Sequence, residues 1–484
     1  MAIILHRFDL RVHDNPAVNK AEKPQPIYVF DPDLWDAQHF SPQRKRFVFE
    51  SLHDLKDQYE KRGGQLRFFH GDTRDVLRRV SDDHRVVFNK DANHFQTSLE
   101  THLRSTYHGV DAGAIQYGGR DRSTWSKQLS TWLDEEPEKT KSSFETVVDG
   151  NTTLKAMKDK YGEPVQKDRF GRGGRRAGLE RLNAFKHRIS HYAANISSPA
   201  KAEQMTSHLS PYIRYGCLSV REVHQAFQDD KEDNAAQFKD RLVWHQHFQQ
   251  KREDNPCLHE QAINPVYQDL HRDKRDNALI RAWKQGRTGY PLVDATMRAL
   301  EQTGWMNFRM RAMAASFYSY ILKQWWKTGA DHFYQHLVDA DVAINYYQWQ
   351  MQSGLVGVHA NRIYDPTKQV RDNDPNGAYI KRYVPELCDV PADKIAQPWQ
   401  LTEGEQTKYD VVIGDDYPEP VVDYGTEARQ ARAYFKRKAP EAYEAFKDDE
   451  VWRRASLSDR HSREHIVEKA GGMQPALTEF TEDS

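Results

Sequence analysis

The N-terminal third of the chain alternates short apolar runs with amphipathic stretches, and this rhythm limits the possible folds more than any other feature. Ala2-Ile3-Ile4-Leu5, Ile27-Tyr28-Val29-Phe30, Leu66-Arg67-Phe68-Phe69 and Val86-Val87-Phe88 have the length and apolar density of buried parallel strands. Between the second and third runs, Ser41 and Pro42 open a helix as N-cap and first residue. Val48, Leu52, Leu55 and Tyr59 form its apolar stripe, and Gly63-Gly64 stops it. Thr73 is placed to cap a shorter helix carrying Val76, Leu77 and Val80. Strands separated by helices require right-handed crossovers, so the expected fold is a doubly wound α/β sheet. No GxGxxG follows the first strand, so this pattern alone leaves a cofactor site unassigned.

The rhythm stops near residue 134. The stretches Glu135–Lys139 and Gly171–Arg176 read as linker and loop. From about 178 to 390 the apolar period becomes helical, and one helix is expected to run from Asn307 through Met310, Met313, Phe317 and Ile321 to Trp325. The resulting division is an α/β domain over 1–134, a linker over 135–180, an all-helical domain over 181–425, and a charged extension over 426–484. That extension is expected to be helical over 429–455 and frayed beyond.

Lys plus Arg (70) and Asp plus Glu (71) nearly cancel, so any affinity for nucleic acid must reside in local basic patches. The three cysteines are far apart and belong to no CxxC pair, which argues against disulfides, zinc and iron–sulfur clusters. The apolar start is too short for a signal peptide, and no stretch approaches the roughly 20 apolar residues of a membrane span. A cytoplasmic, metal-free protein, monomeric and not bound to membranes, is the expectation.

Three runs carry chemistry. In Asp339–Gln350 a helix would set Asp341, Asn345 and Trp349 at i, i+4 and i+8 on one face, as a lining for a polar aromatic ligand. A solvated polar face is the plain alternative. In Gly286–Asp294 and Gly304–Arg311, Arg309 and Arg311 lie in an apolar helix, where a carboxylate such as Asp339 or a phosphate would satisfy them. In Met205–Tyr212, Thr206, Ser207 and Ser210 offer hydroxyls and N-caps at a helix start, a natural place for phosphate.

Together these runs resemble the photolyase/cryptochrome family. The opening His6–Ala17, the run Thr206–Tyr212, the stretch 288–311, the run 339–349, and the runs Asn361–Pro366 and Tyr379–Leu387 are similar to its motifs in order and spacing. The resemblance covers roughly residues 2–425. It implies a Rossmann-like antenna domain followed by a helical domain that holds FAD. By resemblance Tyr192, Thr206, Ser207, Leu209 and Ser210 hold phosphate and ribitol. Arg311 pairs with Asp339 beside the flavin ring, Asp341 contacts the ring or adenosine side, and Asn345 faces N5. The implied reaction is light-driven electron transfer from reduced FAD to a cyclobutane pyrimidine dimer in UV-damaged DNA, the dimer being flipped out of the duplex.

The same resemblance makes Trp244 and Tyr290 candidates to stack on the dimer or line the cavity mouth. Arg309, Lys381 and Arg382, with the 169–176 loop, are candidates for phosphate contacts. Trp349 and Trp326 match the first two members of a photoreduction chain, but Asp273 occupies the third position, with Trp325, Tyr318 and Tyr320 as possible substitutes. Arg241, His245 and Gln246 depart from the residues of many dimer-repairing relatives, and Met351 replaces a second cavity tryptophan. Phe308 and Ala312 stand where (6-4) photolyases carry histidines. Repair by a deoxyribodipyrimidine photo-lyase is the leading expectation, and a cryptochrome-type blue-light receptor is the alternative. A dark oxidoreductase has no nicotinamide motif to support it. An antenna chromophore, folate or deazaflavin, is expected in the first domain without an assigned pocket.

Overall fold

The computed structural model describes residues 2–93, 95, 97–118, 122–138, 143–162, 171–230, 232–358, 362–457 and 462–471. Five parallel strands form one sheet in the order β3-β2-β1-β4-β5: β1 (Ala2–His6), β2 (Pro24–Phe30), β3 (Arg67–His70), β4 (Arg85–Asn89) and β5 (His108–Val110). Leu5 registers with Ile27 on one side and with Phe88 on the other. Every residue of β1 and β2 is buried, as expected for a sheet covered on both faces. Four strands lie where the apolar runs predict them. The three-residue β5 has no apolar run to announce it.

Helix α1 (Pro42–Glu60) covers one face, and α2 (Thr73–Val80) covers the other. The cap of α2 is Asp72, whose carboxylate accepts the Asp75 N–H, so Thr73 is the first helical residue rather than the cap. Ser41 precedes α1 with extended backbone and makes no side-chain capping bond. The 135–180 linker is partly built: α3 (Leu154–Tyr161) packs on α1, and Thr152 bridges Phe68 at the sheet edge. The first helices of the C-terminal part share a continuous core with the α1 face. Tyr212 and Tyr215 there pack on Phe47 of α1.

The helices that matter for the site follow in chain order. They are α4 (Tyr192–Asn195), α5 (Pro199–Met205), α6 (Ser210–Arg214), α7 (Asp233–Asp254), α8 (Phe308–Ser316), α9 (Trp326–His336), α10 (Val342–Gln352) and α11 (Ala378–Tyr383). The long helix expected from Asn307 to Trp325 ends at Ser316. Phe317–Ile321 widen into a π-turn, and Lys323 takes a left-handed φ of 51° before α9 starts.

The C-terminal extension is also corrected. Helices α12 (Tyr424–Glu444), α13 (Asp449–Ala455) and α14 (Arg463–Gly471) bury Phe435, Ala442, Val451, Ala455 and Ile466 in the core of the helical domain, and the turn between α12 and α13 adds Phe446. Lys251 Nζ donates to Tyr347 Oη and to the carbonyls of Ala455 and Ser456, tying α7 and α10 to the end of α13. Among the described residues no helix is long and apolar enough to cross a membrane.

Candidate flavin site and nucleic-acid rim

Helix α10 and the residues just before it bring the strongest run together in the interior. Asp339, Asp341, Asn345 and Trp349 are 7, 5, 8 and 2 % exposed, so the solvated-face alternative is excluded. Arg311 on α8 donates through Nη2 to both oxygens of Asp339, at 3.1 and 2.9 Å, and through Nε to the Met306 carbonyl at 3.0 Å. A buried carboxylate is costly unless paired, and this pair answers the cost the sequence raised for Arg311. Asn345 donates to the Ala330 carbonyl on α9 at 3.0 Å. Trp349 packs edge-on to Phe333, with ring centroids 4.9 Å apart, and against Gly329.

Asp341 behaves differently from expectation. It is the N-cap of α10 and accepts the Ile344 N–H at 2.8 Å, while its other oxygen accepts from Asn93 at 2.5 Å and Gln249 at 2.9 Å. The carboxylate turns toward the α/β domain and lines the cleft between the domains. Its place in a shared lining with Asn345 and Trp349, drawn from spacing alone, is not what the side chain adopts.

The Thr206–Tyr212 run forms the turn from α5 to α6. Thr206 is the C-cap of α5, and its hydroxyl is spent on the Ala202 carbonyl at 2.7 Å. It caps no following helix, since Leu209 holds the N-cap position of the five-residue α6. Ser207 is half-buried and Ser210 exposed, so these two hydroxyls remain presented. His208, passed over in the sequence, takes a left-handed φ of 51° and lays its ring 4.3 Å from that of Trp305. Burial pushes it down to about 4, so it is neutral near pH 7 and Nε2–H donates to the Glu203 carbonyl at 3.0 Å. Tyr192 is buried against Phe185 and Phe238 beside Arg241; burial raises its phenol and the guanidinium opposes that rise.

Two large aromatic side chains on the helices of this region are exposed. Trp244 on α7 is 40 % exposed and Phe308, the first residue of α8, is 55 % exposed. The segment from Tyr192 to Ser197 joins them: Tyr192 stands beside Arg241 of α7, while Asn307 donates to the Ile196 carbonyl and Arg309 to Ser197 Oγ at 3.4 Å. Phe308 was weighed in the sequence only as a missing histidine; its exposure needed the structure. His245, near Asp341 at 3.9 Å, is pushed down by burial. Arg241 is exposed, and Met351 and Lys381 are half-buried.

Two candidates are drawn away from a ligand. Arg382 is engaged in an ion pair with Glu203. Tyr290 is 4 % exposed; its hydroxyl donates to the Val422 carbonyl and accepts the Tyr424 N–H, so its ring packs the helical core and faces no base. In the basic loop Arg175 is paired with Glu222, while Arg169, Phe170 and Asn361 lie outside the described residues.

The aromatic neighbours of Trp349 are Phe333, Trp283 at 6.0 Å and Tyr318 at 5.9 Å. Trp326 instead meets Tyr346 at 6.4 Å. Trp325 lies under the Arg272 guanidinium, one residue from Asp273, and Tyr320 packs on Phe435 in the core. The residues around α10 fit the ring of a flavin: Trp349 Nε1–H is buried with no acceptor among the described groups, beside an amide and a charged guanidinium–carboxylate pair. At the phosphate end the fit rests on Ser207 and Ser210. The interdomain cleft lies at the border of β1 and β4, where the strand order reverses, and is lined by Arg7, Arg11, Lys90 and Asp341. Its volume of about 150 Å³ is below the ~300 Å³ of ligand-sized pockets.

Comparison with known proteins agrees with this architecture. Residues 2–117 match the family model for DNA photolyase, and residues 238–437 match that for the FAD binding domain of DNA photolyase. A cryptochrome DASH from Natronomonas pharaonis is 32 % identical over 471 residues, covering 87 % of this chain and 98 % of its own. A deoxyribodipyrimidine photo-lyase from Streptomyces griseus is 30 % identical over 466 residues, covering 90 % and 98 %. The crystal structure of a bacterial class III photolyase from Agrobacterium tumefaciens superposes with a TM-score of 0.77 at 27 % identity, covering 90 % and 98 %.

Proposed function

We infer the function from one premise: the chain belongs to the DNA photolyase/cryptochrome family, with its FAD-binding helical domain. Relatives bear both photo-lyase and cryptochrome names, so the finer choice rests on the residues. Our reading is a blue-light-driven lyase that splits cyclobutane pyrimidine dimers in UV-damaged DNA. The observation that carries it is Trp244, a large indole 40 % exposed on the helix that also presents Arg241, packed on Phe248, which in turn meets Tyr347 of α10. Base–aromatic stacking of this kind holds an extruded base.

Reduced FAD, when bound, supplies the light-excited electron donor. On this reading Arg311 and Asp339 hold the ring edge, and Asn345, neutral, serves either protonation state at N5. Tyr192, Ser207, Leu209 and Ser210 take the phosphate and ribitol end. Arg309 and Lys381 contact DNA phosphates, Trp244 stacks on the dimer, and Met351 and Arg241 line the mouth. Trp349 is the first relay in photoreduction, with Trp326 as the proposed second. A folate or deazaflavin antenna would enter the interdomain cleft only if that cleft widens.

A receptor without repair activity is the second reading, favoured by the C-terminal helices that clasp α7 and α10. The reduced, FAD-loaded protein should restore intact thymines in a dimer-containing oligonucleotide under blue light, with none restored in the dark. Full reduction with no repair in light assigns the receptor role.

A further inference from the structure

The α/β domain enters the helical domain through one buried amide. Asn93, on the turn after β4, is 4 % exposed, and both ends of its side chain meet the start of α10. Nδ2 donates to Asp341 Oδ2 at 2.5 Å, and Oδ1 accepts the Ala343 N–H at 2.9 Å. Asp341 in turn accepts Ile344 N–H with its side chain, and its carbonyl accepts the Asn345 N–H at 2.9 Å. The first N–H groups of a helix have no partner within it, so Asn93 and Asp341 divide that duty between two domains. The turn is fixed from behind: the Asn93 N–H donates to Asp91 at 2.7 Å, the Asp91 N–H to Glu100 at 3.0 Å, and Glu100 is held by Arg7 and Arg104.

We propose that Asn93 is a positioning residue for the flavin site, and that Asn93 and Asp341 form a latch through which the α/β domain sets the place of Asn345 and Trp349. The proposal rests on the reading of α10 as the flavin-ring helix. It also gives Asp341 a role different from ring contact, because its bonds to Asn93, Gln249 and Ile344 leave little of the carboxylate for a ligand. Asn345 is one turn along from Asp341 and tied at its other end to α9. A shift in the first turn therefore moves its amide.

The test is a double-mutant cycle on the full chain: Asn93→Ala, Asp341→Ala and both together. FAD affinity of the apoprotein and the vibronic structure of the bound flavin's blue absorption band are the readouts. Asn93→Ala is expected to weaken FAD binding about tenfold and blur the band, Asp341→Ala to do at least as much because it also loses the bonds from Gln249 and Ile344, and the double variant to do no more than Asp341→Ala alone. Exchanging the partners, Asn93→Asp with Asp341→Asn, swaps donor and acceptor, and with the Gln249 amide turned over so that its oxygen accepts from the new amide it is expected to restore binding to within about threefold of the original. Additive losses of about a hundredfold, or no rescue by the exchange, overturn the latch. Asn89→Ala removes a different buried amide of the same domain, bonded to Asp9, Asn15 and Ala17, and is expected to leave the flavin spectrum unchanged. If it blurs the band as much as Asn93→Ala, the effect is general loosening and the proposal falls. The same cycle read in urea unfolding separates two failures. Additivity there ends the latch, whereas an original protein that takes up no FAD ends the underlying reading.

Discussion

A methyl group on Gly329 would stand 2.3 Å from the Trp349 indole and 3.1 Å from the Tyr318 ring. Packed interiors do not absorb such contacts without movement. Gly329→Ala is therefore expected to cost about 1–3 kcal/mol and to displace Trp349. Chemical unfolding measures the first effect, and the rate of light-driven flavin reduction measures the second. Removing Arg311 acts through charge instead. Asp339, with its side chain 4 % exposed, would be left unpaired, and Arg311→Ala should cost about 3–5 kcal/mol and release FAD. Arg311→Lys should recover only part, because a point charge cannot bridge both carboxylate oxygens while also holding Met306. The Arg311–Asp339 pair was legible in the sequence, since an arginine in an apolar helix demands a partner. Asn93 was not, because its partner lies 248 residues away and an asparagine after a strand predicts only a turn.

At the scale of elements, four of the five strands and α1 follow from apolar period, with Pro42 at the first position of α1. The run from Asn307 to Trp325 shows where period misleads. Phe317-Tyr318-Ser319-Tyr320-Ile321 contains neither Gly nor Pro, yet the Leu322 N–H bonds the Phe317 carbonyl and opens the helix there. The break lets Trp325 leave the stripe on which its spacing placed it. Helix α7 carries the element-scale test of DNA recognition. Trp244→Ala should weaken binding of a dimer-containing oligonucleotide by about 1–3 kcal/mol while leaving light-driven flavin reduction intact, as titrations and photoreduction traces would show. The helices expected over 429–455 are present, but their packing was missed because the segment was read from its charge, although Ala428, Ala431 and Phe435 form a buried stripe within it. Phe435 touches Tyr267 and Tyr320, so Phe435→Ala is expected to cost about 3–5 kcal/mol in thermal or urea unfolding.

Across the whole molecule, acid is a threat to several joints at once. His39 and His259 both face Phe95 between the domains, and burial pushes them down to about 4 and about 3. His208 at the flavin site and His271 are pushed down to about 4 by the same cause. The unfolded chain binds these protons below 6.5 and the folded one does not, so the stabilisation is complete above pH 6.5 and declines as pH falls toward 4. The midpoint of thermal unfolding should therefore drop through that window and stay flat just above it. A profile flat down to pH 4 would show that these imidazoles are not buried as neutral groups. The balanced net charge of −1 has a counterpart in how the cations are used: of the proposed DNA contacts, Arg175 and Arg382 are paired with carboxylates.

The clasp between Lys251 and Ser456 spans 205 residues of chain. At roughly 5–20 residues per second, a ribosome takes about 10–40 s to travel from one partner to the other. In the second half of that time, once α10 has been made, α7 and α10 exist without the helix that seals them. If α10 is the flavin-ring helix, as proposed above, the order of synthesis leaves an interval for loading before the last cover arrives.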